Sequence, residues 1–323
     1  MNLSCRCGMT APALTDAPRV LFMGTPAFAV PSLQVLCENG FTPAAIVTGP
    51  DRRRGRGRRS APTAIRTAAH DLGIGRVLQP EDVKDADFAR EVCRLACDIQ
   101  VVVAFRILPR AVFREARLGA FNLHASLLPR YRGAAPINRA LMAGEQTTGV
   151  TTFFLAERVD TGNMILQWST HIDANETAGE LHDRLSRLGA RAVLETVRRI
   201  ASDRAGRVLQ NPAAATAAPK IFRHDCRINW HLSAQVLHNH CRGLSPRPGA
   251  WTMWQGRLVK VLNTRVCEGT GEPGTVVAAD TRLAVACGAA ALEIRELQLQ
   301  GKRRLPAGAF LRGHPITPGD RLE

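Results

Sequence analysis

A chain of 323 residues is longer than one small hydrophobic core requires and divides naturally into two domains. Lysine and arginine outnumber aspartate and glutamate 43 to 28, and the resulting formal charge of +15 points to a polyanionic partner or to an arginine-rich background. No run approaches the roughly 18 apolar residues that span a bilayer, Met1 to Pro18 lacks the layout of a secretory signal, and nine cysteines, Cys5 and Cys7 among them, show neither a CxxC pair nor a zinc spacing, so a membrane span, a disulfide framework and a metal site are not expected and a reduced cytoplasmic protein is.

The first regular element is predicted at Val20 to Met23, an apolar run that reads as a buried parallel strand; a start at Met9 therefore also fits. The tight turn Gly24-Thr25-Pro26 follows, then a helix from Pro31 to Cys37 opened by its proline. Ala44 to Thr48 is a second strand. Beyond the arginine-rich stretch Asp51 to Arg59, Thr63 to Leu72 has helical spacing, Val77-Leu78 is a short strand, and Asp85 to Cys97 is a helix feeding the apolar strand Ile99 to Phe105. Alternating apolar strands and helices predict a parallel sheet covered on both faces. The first turn lacks Gly-x-Gly-x-x-Gly and Pro26 removes an amide that a phosphate would need, so a dinucleotide site is not expected.

Phe121 to His124 continues the pattern as a strand, Pro136 to Ala143 as a short helix and Gly149 to Leu155 as another strand. Thr177 and Glu180 have capping-box spacing ahead of a long helix from Leu181 to Ile200, which closes the first domain. From Asp203 to Pro219 the chain turns to Gly, Ala, Pro and polar residues without an apolar period and reads as a linker. Trp251 to Trp254, Leu258 to Leu262, Gly274 to Val277, Leu283 to Ala286 and Leu292 to Ile294 then read as short strands between glycine-bearing turns, a small β-barrel. The expected architecture is an α/β, Rossmann-like domain with a parallel-rich sheet over residues 17–202, a linker over 203–222 and an OB-like β-barrel domain over 223–323. From Lys220 onward fifteen basic residues face eight acidic ones, and Lys302-Arg303-Arg304 is a candidate patch for an RNA backbone.

Asn122 and His124 stand two apart in a strand pattern, so their side chains leave the same face, at the carboxyl end of a strand where open α/β sheets place their sites. An amide donor and an imidazole then share one small volume, but taken alone the pair is weak evidence and a strand-end histidine is more often structural. The Pro- and Gly-punctuated loop Ser126-Leu127-Leu128-Pro129-Arg130-Tyr131-Arg132-Gly133-Ala134-Ala135-Pro136-Ile137 follows, and later the polar turn Val159-Asp160-Thr161-Gly162-Asn163-Met164-Ile165. Together these segments resemble the folate-dependent formyltransferase family. The resemblance extends over nearly the whole chain, through Phe22-Met23-Gly24-Thr25-Pro26, Phe28-Ala29-Val30-Pro31, the basic loop Asp51 to Arg59, Arg242-Gly243-Leu244-Ser245-Pro246, Pro248-Gly249-Ala250 and Phe310-Leu311-Arg312-Gly313-His314.

The resemblance implies a catalytic trio of Asn122, His124 and Asp160, with Asp160 otherwise readable as a turn-capping carboxylate. Asn122 would stabilise the oxyanion built by attack of an amine on a formyl carbon, His124 would donate a second hydrogen bond or move the amine proton, and Asp160 would orient His124. It further implies 10-formyltetrahydrofolate as donor, held by the loop Ser126, Leu127, Leu128 and Pro129, an initiator methionyl-tRNA as acceptor, no metal and a monomeric state. The six arginines Arg52, Arg53, Arg54, Arg56, Arg58 and Arg59 match the family loop that enters the tRNA acceptor stem, where guanidinium groups pair with phosphates and read guanine edges. One stretch departs from the family: Phe105-Arg106-Ile107-Leu108-Pro109 stands where a Tyr-Gly-x-Ile-Leu-Pro-like run is usual, and an arginine in place of the glycine is expected to crowd the donor pocket or redirect the loop. Alternatives of neighbouring chemistry are a formyltransferase for a small amine such as a sugar nucleotide or purine intermediate, and a hydrolase releasing formate; a non-catalytic RNA-binding protein is the alternative of another class.

Overall fold

The computed structural model describes residues 17–54 and 59–323; Met1, Met9, Cys5, Cys7, Arg56 and Arg58, and with them the choice of start, lie outside the described residues. Two compact units form, one from Met1–Phe121 with Val193–Ala205 and one from Asn122–Ala192 with Gly206–Glu323.

The first unit opens on β1 (Val20–Gly24), every residue of which is buried, and α1 (Val30–Glu38), whose proline lies in the first turn. Then come β2 (Ala45–Val47), β3 (Arg52–Arg54), β4 (Arg59–Ala61), α2 (Ala64–Asp71), β5 (Val77–Leu78), α3 (Ala86–Arg94), β6 (Ile99–Val103), α4 (Arg110–Phe113) and β7 (Gly119–His124). Strands β5, β2, β1 and β6 lie side by side in that order and run parallel, as their continuous apolar runs require. Gly24 ends β1 where a Cβ would stand 2.9 Å from the Ala29 side chain and 3.0 Å from the Val103 carbonyl oxygen, so the tight turn needs glycine. Thr63 caps α2 by accepting from the Arg66 amide at 3.0 Å, and Asp85 caps α3 through the Asp87 amide at 2.9 Å. The arginine-rich stretch, expected as a loop, has a two-stranded base: Arg52 pairs with Ala61, Arg53 with Ser60 and Arg54 with Arg59. Asp51 anchors that hairpin through an ion pair with Arg66 and a 2.8 Å hydrogen bond from Gln79. Arg106 turns to the chain before it, donating to the carbonyls of Glu81 at 2.8 Å and Pro80 at 2.7 Å, and burial lowers its pKa from the usual guanidinium value.

In the second unit, β7 is followed by α5 (Pro136–Met142), β8 (Thr147–Phe154) and β9 (Met164–His171). β8 and β9 form an antiparallel pair, and the sheet order there is β7, β8, β9. The strand β9 was not expected. Helix α6 (Ala178–Ala201) starts in this unit with the predicted capping box: Glu180 accepts from the Thr177 amide at 2.8 Å and Thr177 accepts from the Glu180 amide at 3.3 Å. Helix α7 (Ala234–Leu244), also unexpected, is capped by Ser233 through the Val236 amide.

The remaining elements are β10 (Ala250–Trp254), β11 (Arg257–Cys267), β12 (Val276–Ala279), β13 (Leu283–Ala286), β14 (Ala291–Leu299), β15 (Leu305–Pro306) and α8 (Ala307–Leu311). They build an antiparallel sheet in the order β10, β11, β14, β13, β12, with β15 on β14, the small β domain anticipated from the glycine-punctuated runs. Its core gathers Trp230, Leu237, Cys241, Leu244, Trp254 and Phe310. Burial raises the Cys241 and Cys287 thiols, the latter to about 11, so both pack as neutral groups. Arg242 and Gly243 explain their motif. The buried Arg242 guanidinium donates to the Asp173 and Glu176 carbonyls at 3.1 and 3.3 Å, and a Cβ on Gly243 would stand 3.0 Å from the Met142 amide nitrogen, so α7 presses on α5 only with glycine there. No helix among the described residues is long and apolar enough to cross a membrane.

The stretch expected as a linker is partly tied down. Val208 pairs with Met164 through two hydrogen bonds of 2.8 and 2.9 Å, and Ala217 pairs with Arg132, whose carbonyl accepts from the Ala218 amide at 2.6 Å.

Candidate active site

Strand alternation decides which way the end of β7 faces. Leu123 lies against α6, where a Cβ on Gly189 would stand 2.6 Å from its methyl group, so Asn122 and His124 leave the opposite face. Asn122 is half-buried. His124 is buried. Its Nε2 lies 2.8 Å from the Tyr131 carbonyl oxygen, which can only accept, so Nε2 carries a proton and donates it there. The nitrogen left for chemistry is therefore Nδ1.

Nδ1 faces the Asp160 carboxylate, with Oδ2 at 3.8 Å. That separation suits an ion pair and is too long for a direct hydrogen bond. The same Oδ2 accepts from the Gly133 amide at 2.8 Å. Thus His124 and Asp160 come together and Asn122 leaves the same strand face as His124, with one difference in how: the imidazole is oriented by the Tyr131 carbonyl and not by a hydrogen bond to Asp160. A proton arriving at Nδ1 during the reaction would create an imidazolium that faces this carboxylate.

The loop after β7 is stapled from beneath by β8 and β9. Thr151 donates to the Ser126 carbonyl at 2.7 Å and accepts from the Leu128 amide at 3.1 Å, while Gln167 donates to the Leu128 carbonyl at 2.9 Å. Ser126 donates its hydroxyl to the Arg130 carbonyl at 2.7 Å. Of the four residues expected to touch a folate, Ser126 and Leu128 are buried and engaged within the loop, and Leu127 and Pro129 are partly exposed. Tyr131 sits at φ 60°, a left-handed conformation that a tyrosine adopts only when held. Its amide donates to Thr216 Oγ1 at 2.8 Å and its hydroxyl to Glu145 at 2.7 Å. Burial, then the bond to Glu145 and its charge, push the phenol up to about 12, so it stays a donor.

Sequence reasoning missed Thr151, Gln167 and the Tyr131 carbonyl, because backbone and cross-strand partners leave no local motif. It also missed Gln210, which meets the Asp160 turn across fifty residues of chain. Of the arginines, Arg52 is exposed; Arg53, Arg54 and Arg59 are placed by their strands, and Arg56 and Arg58 lie outside the described residues. Lys302, Arg303 and Arg304 are exposed at the turn after β14, with Arg304 paired to Glu296 at 3.6 Å. Among the described residues no group of three or more candidate ligands is placed to hold a metal.

A formyl transferase family model matches residues 18–197, and a formyl transferase C-terminal domain model matches residues 220–315. The methionyl-tRNA formyltransferase of Chlorobium luteolum is 51% identical over 91% of this chain and 96% of its own length. That of Moorella thermoacetica is 44% identical over 94% of this chain and 99% of its own. Among solved structures, an N-formyltransferase of Helicobacter canadensis in complex with folinic acid and dTDP-3-aminofucose superposes with a TM-score of 0.67 at 17% identity, covering 89% of this chain and all of that one. HypX of Aquifex aeolicus in complex with tetrahydrofolic acid does so with a TM-score of 0.64 at 18% identity over 95% of this chain, which spans about half of HypX. At such identities the two structures speak for the fold alone.

Proposed function

This chain belongs to the formyl transferase family, in its methionyl-tRNA formyltransferase branch, and we propose that it carries the formyl group of 10-formyltetrahydrofolate to the α-amine of initiator methionyl-tRNA at Asn122, His124 and Asp160. The observation that carries this assignment is the division of labour on one imidazole. Nε2 is fixed on the Tyr131 carbonyl, and Nδ1 is left facing a carboxylate 3.8 Å away.

The bookkeeping of the reaction follows from those atoms. A bond forms between the amine nitrogen and the formyl carbon, and the bond from that carbon to the folate nitrogen breaks. Asn122 supplies an N–H to the formyl oxygen as negative charge develops, an interaction worth about a hundred- to a thousand-fold in rate. The proton released by the amine moves to His124 Nδ1, Asp160 holds the resulting imidazolium, and the proton then passes to the departing folate nitrogen. Leu127 and Pro129 offer the apolar edge for the donor, on a loop that Ser126 and Leu128 keep in shape. We assign catalysis to residues 17–202 and tRNA contacts to the Arg52 to Arg59 hairpin and to residues 223–323, in a protein that works in the cytoplasm as a monomer without a metal.

Mixing the protein with 10-formyltetrahydrofolate and charged initiator tRNA is expected to yield formylmethionine, with charged elongator methionyl-tRNA a poor substrate. Formylation of a sugar nucleotide with neither tRNA modified would move the chain to the small-amine reading. Replacing Arg52, Arg53, Arg54, Arg56, Arg58 and Arg59 by glutamine is expected to raise KM for tRNA at least about tenfold and to flatten its salt dependence, since each lost phosphate contact removes about 0.7 to 0.9 from the log–log slope. KM for the folate should stay within about twofold. Equal losses for both substrates would mark the hairpin as a structural element.

A further inference from the structure

The stretch between the two family-model matches holds a side chain that neither the motif nor the mechanism uses. Gln210 is buried and makes four hydrogen bonds. Its Nε2 lies 3.0 Å from the Asp160 carbonyl oxygen and 2.8 Å from that of Gly162, and its Oε1 lies 3.1 and 2.6 Å from Nε and Nη2 of Arg132. Chemistry fixes the orientation of this amide: carbonyl oxygens only accept and a guanidinium only donates, so the nitrogen must face the turn and the oxygen the arginine. Both hydrogens of the NH2 group are used on the Asp160 turn.

That turn needs an external hold. Asp160 sits at φ 55°, where a side chain other than glycine is strained, and its Oδ2 must stay within reach of both the Gly133 amide and His124 Nδ1. Two carbonyls two residues apart, both directed at one donor group, fix the turn's backbone on either side of Thr161. Around Gln210 the chain is tied to both halves of the site. Val208 is bonded to Met164, just beyond the turn, and Thr216 and Ala218 are bonded to Tyr131 and Arg132 in the loop whose Tyr131 carbonyl orients the imidazole.

We propose that Gln210 is a positioning residue for formyl transfer: by donating both amide hydrogens to the Asp160 turn, it keeps the carboxylate opposite Nδ1 of His124. The inference rests on the assignment of His124 and Asp160 given above. It differs from a purely structural role in what it spares. Loosening the fold lowers stability and weakens both substrates together, whereas misplacing Asp160 slows the chemical step with binding intact. A shift of about 1 Å in a catalytic group is enough to lose about a hundredfold.

The decisive variant is Gln210→Glu, which keeps the acceptor for Arg132 and removes both donors to the turn. Gln210→Met, close in size and uncharged, carries the same test should the glutamate variant fail to fold. In the formylation assay with full-length protein, either is expected to lower kcat about thirty- to a hundredfold, with KM for tRNA and for 10-formyltetrahydrofolate within about twofold of wild type. In an Asp160→Asn background, where the charge being positioned is gone, the same substitution is expected to cost less than about threefold, the non-additivity that a shared pathway requires. Wild-type kcat in Gln210→Glu, parallel increases in both KM values at unchanged kcat, or an undiminished effect in the Asp160→Asn background would each overturn the proposal. Full activity of Asp160→Asn alone would instead overturn the site assignment beneath it, so the two failures are told apart.

Discussion

Replacement of His124 by alanine is expected to lower kcat for formyl transfer by about a hundred- to ten-thousand-fold, the range for loss of a positioned general acid–base group. KM for charged tRNA should move by no more than about threefold, because the imidazole is spent on proton movement and the acceptor is held elsewhere. Asn122→Ala acts on the other half of the same step and is expected to cost about a hundred- to a thousand-fold through the lost oxyanion donor. The two losses should combine to less than their product, since both residues serve one transition state. Steady-state kinetics on variants with wild-type circular dichroism measure both. A His124→Ala protein retaining more than a tenth of wild-type kcat would move proton transfer to another group. Asp160→Asn keeps an acceptor for the Gly133 amide and removes the charge facing Nδ1, so its loss isolates the electrostatic part.

How much of this site the sequence carried depends on how each residue reaches it. Asn122 and His124 are placed by the period of two in a strand, a local rule, and it held because Gly189 lets α6 close over Leu123 on the other face. Asp160 came only from family resemblance. No periodicity connects it to His124, and its backbone lies in the left-handed region that composition does not announce. Gln210 and Thr216 were hidden in a stretch of Gly, Ala, Pro and polar residues, because their partners are 48 to 85 residues away. The strand β9 was missed for a different reason: with one face largely exposed and polar residues interleaved, it blends into the polar turn before it. Helix α7 carries two histidines, an asparagine and a glycine within eleven residues, which blurs its apolar period. Yet Leu237, Cys241 and Leu244 are buried, the i, i+4, i+7 pattern of a core-facing helix. The parallel strands β1, β2 and β6 were legible because burial on both faces leaves unbroken apolar runs.

The Asp160 turn offers a second large effect, reached without touching any polar group. Gly162 lies under the end of β8, and a Cβ there would stand 1.7 Å from the Phe154 carbonyl oxygen and 2.8 Å from its carbon. Both atoms are backbone, and the Phe154 amide is already bonded to the Asn163 carbonyl at 2.9 Å, so no side-chain rotation relieves the clash. Gly162→Ala must therefore displace the turn by about 1 Å or more, which carries the Gly162 carbonyl off Gln210 and the Asp160 carboxylate off His124. The expected result is a fall in kcat of at least about a hundredfold together with about 1 to 3 kcal/mol of lost stability in urea melts. Gly206→Ala is the matched control, because nothing lies within 4 Å of a Cβ at that position, and it should be neutral in both measurements. If Gly162→Ala kept wild-type kcat despite lowered stability, the reaction would not depend on the placement of Asp160, and the carboxylate would be reduced to an anchor for the Gly133 amide.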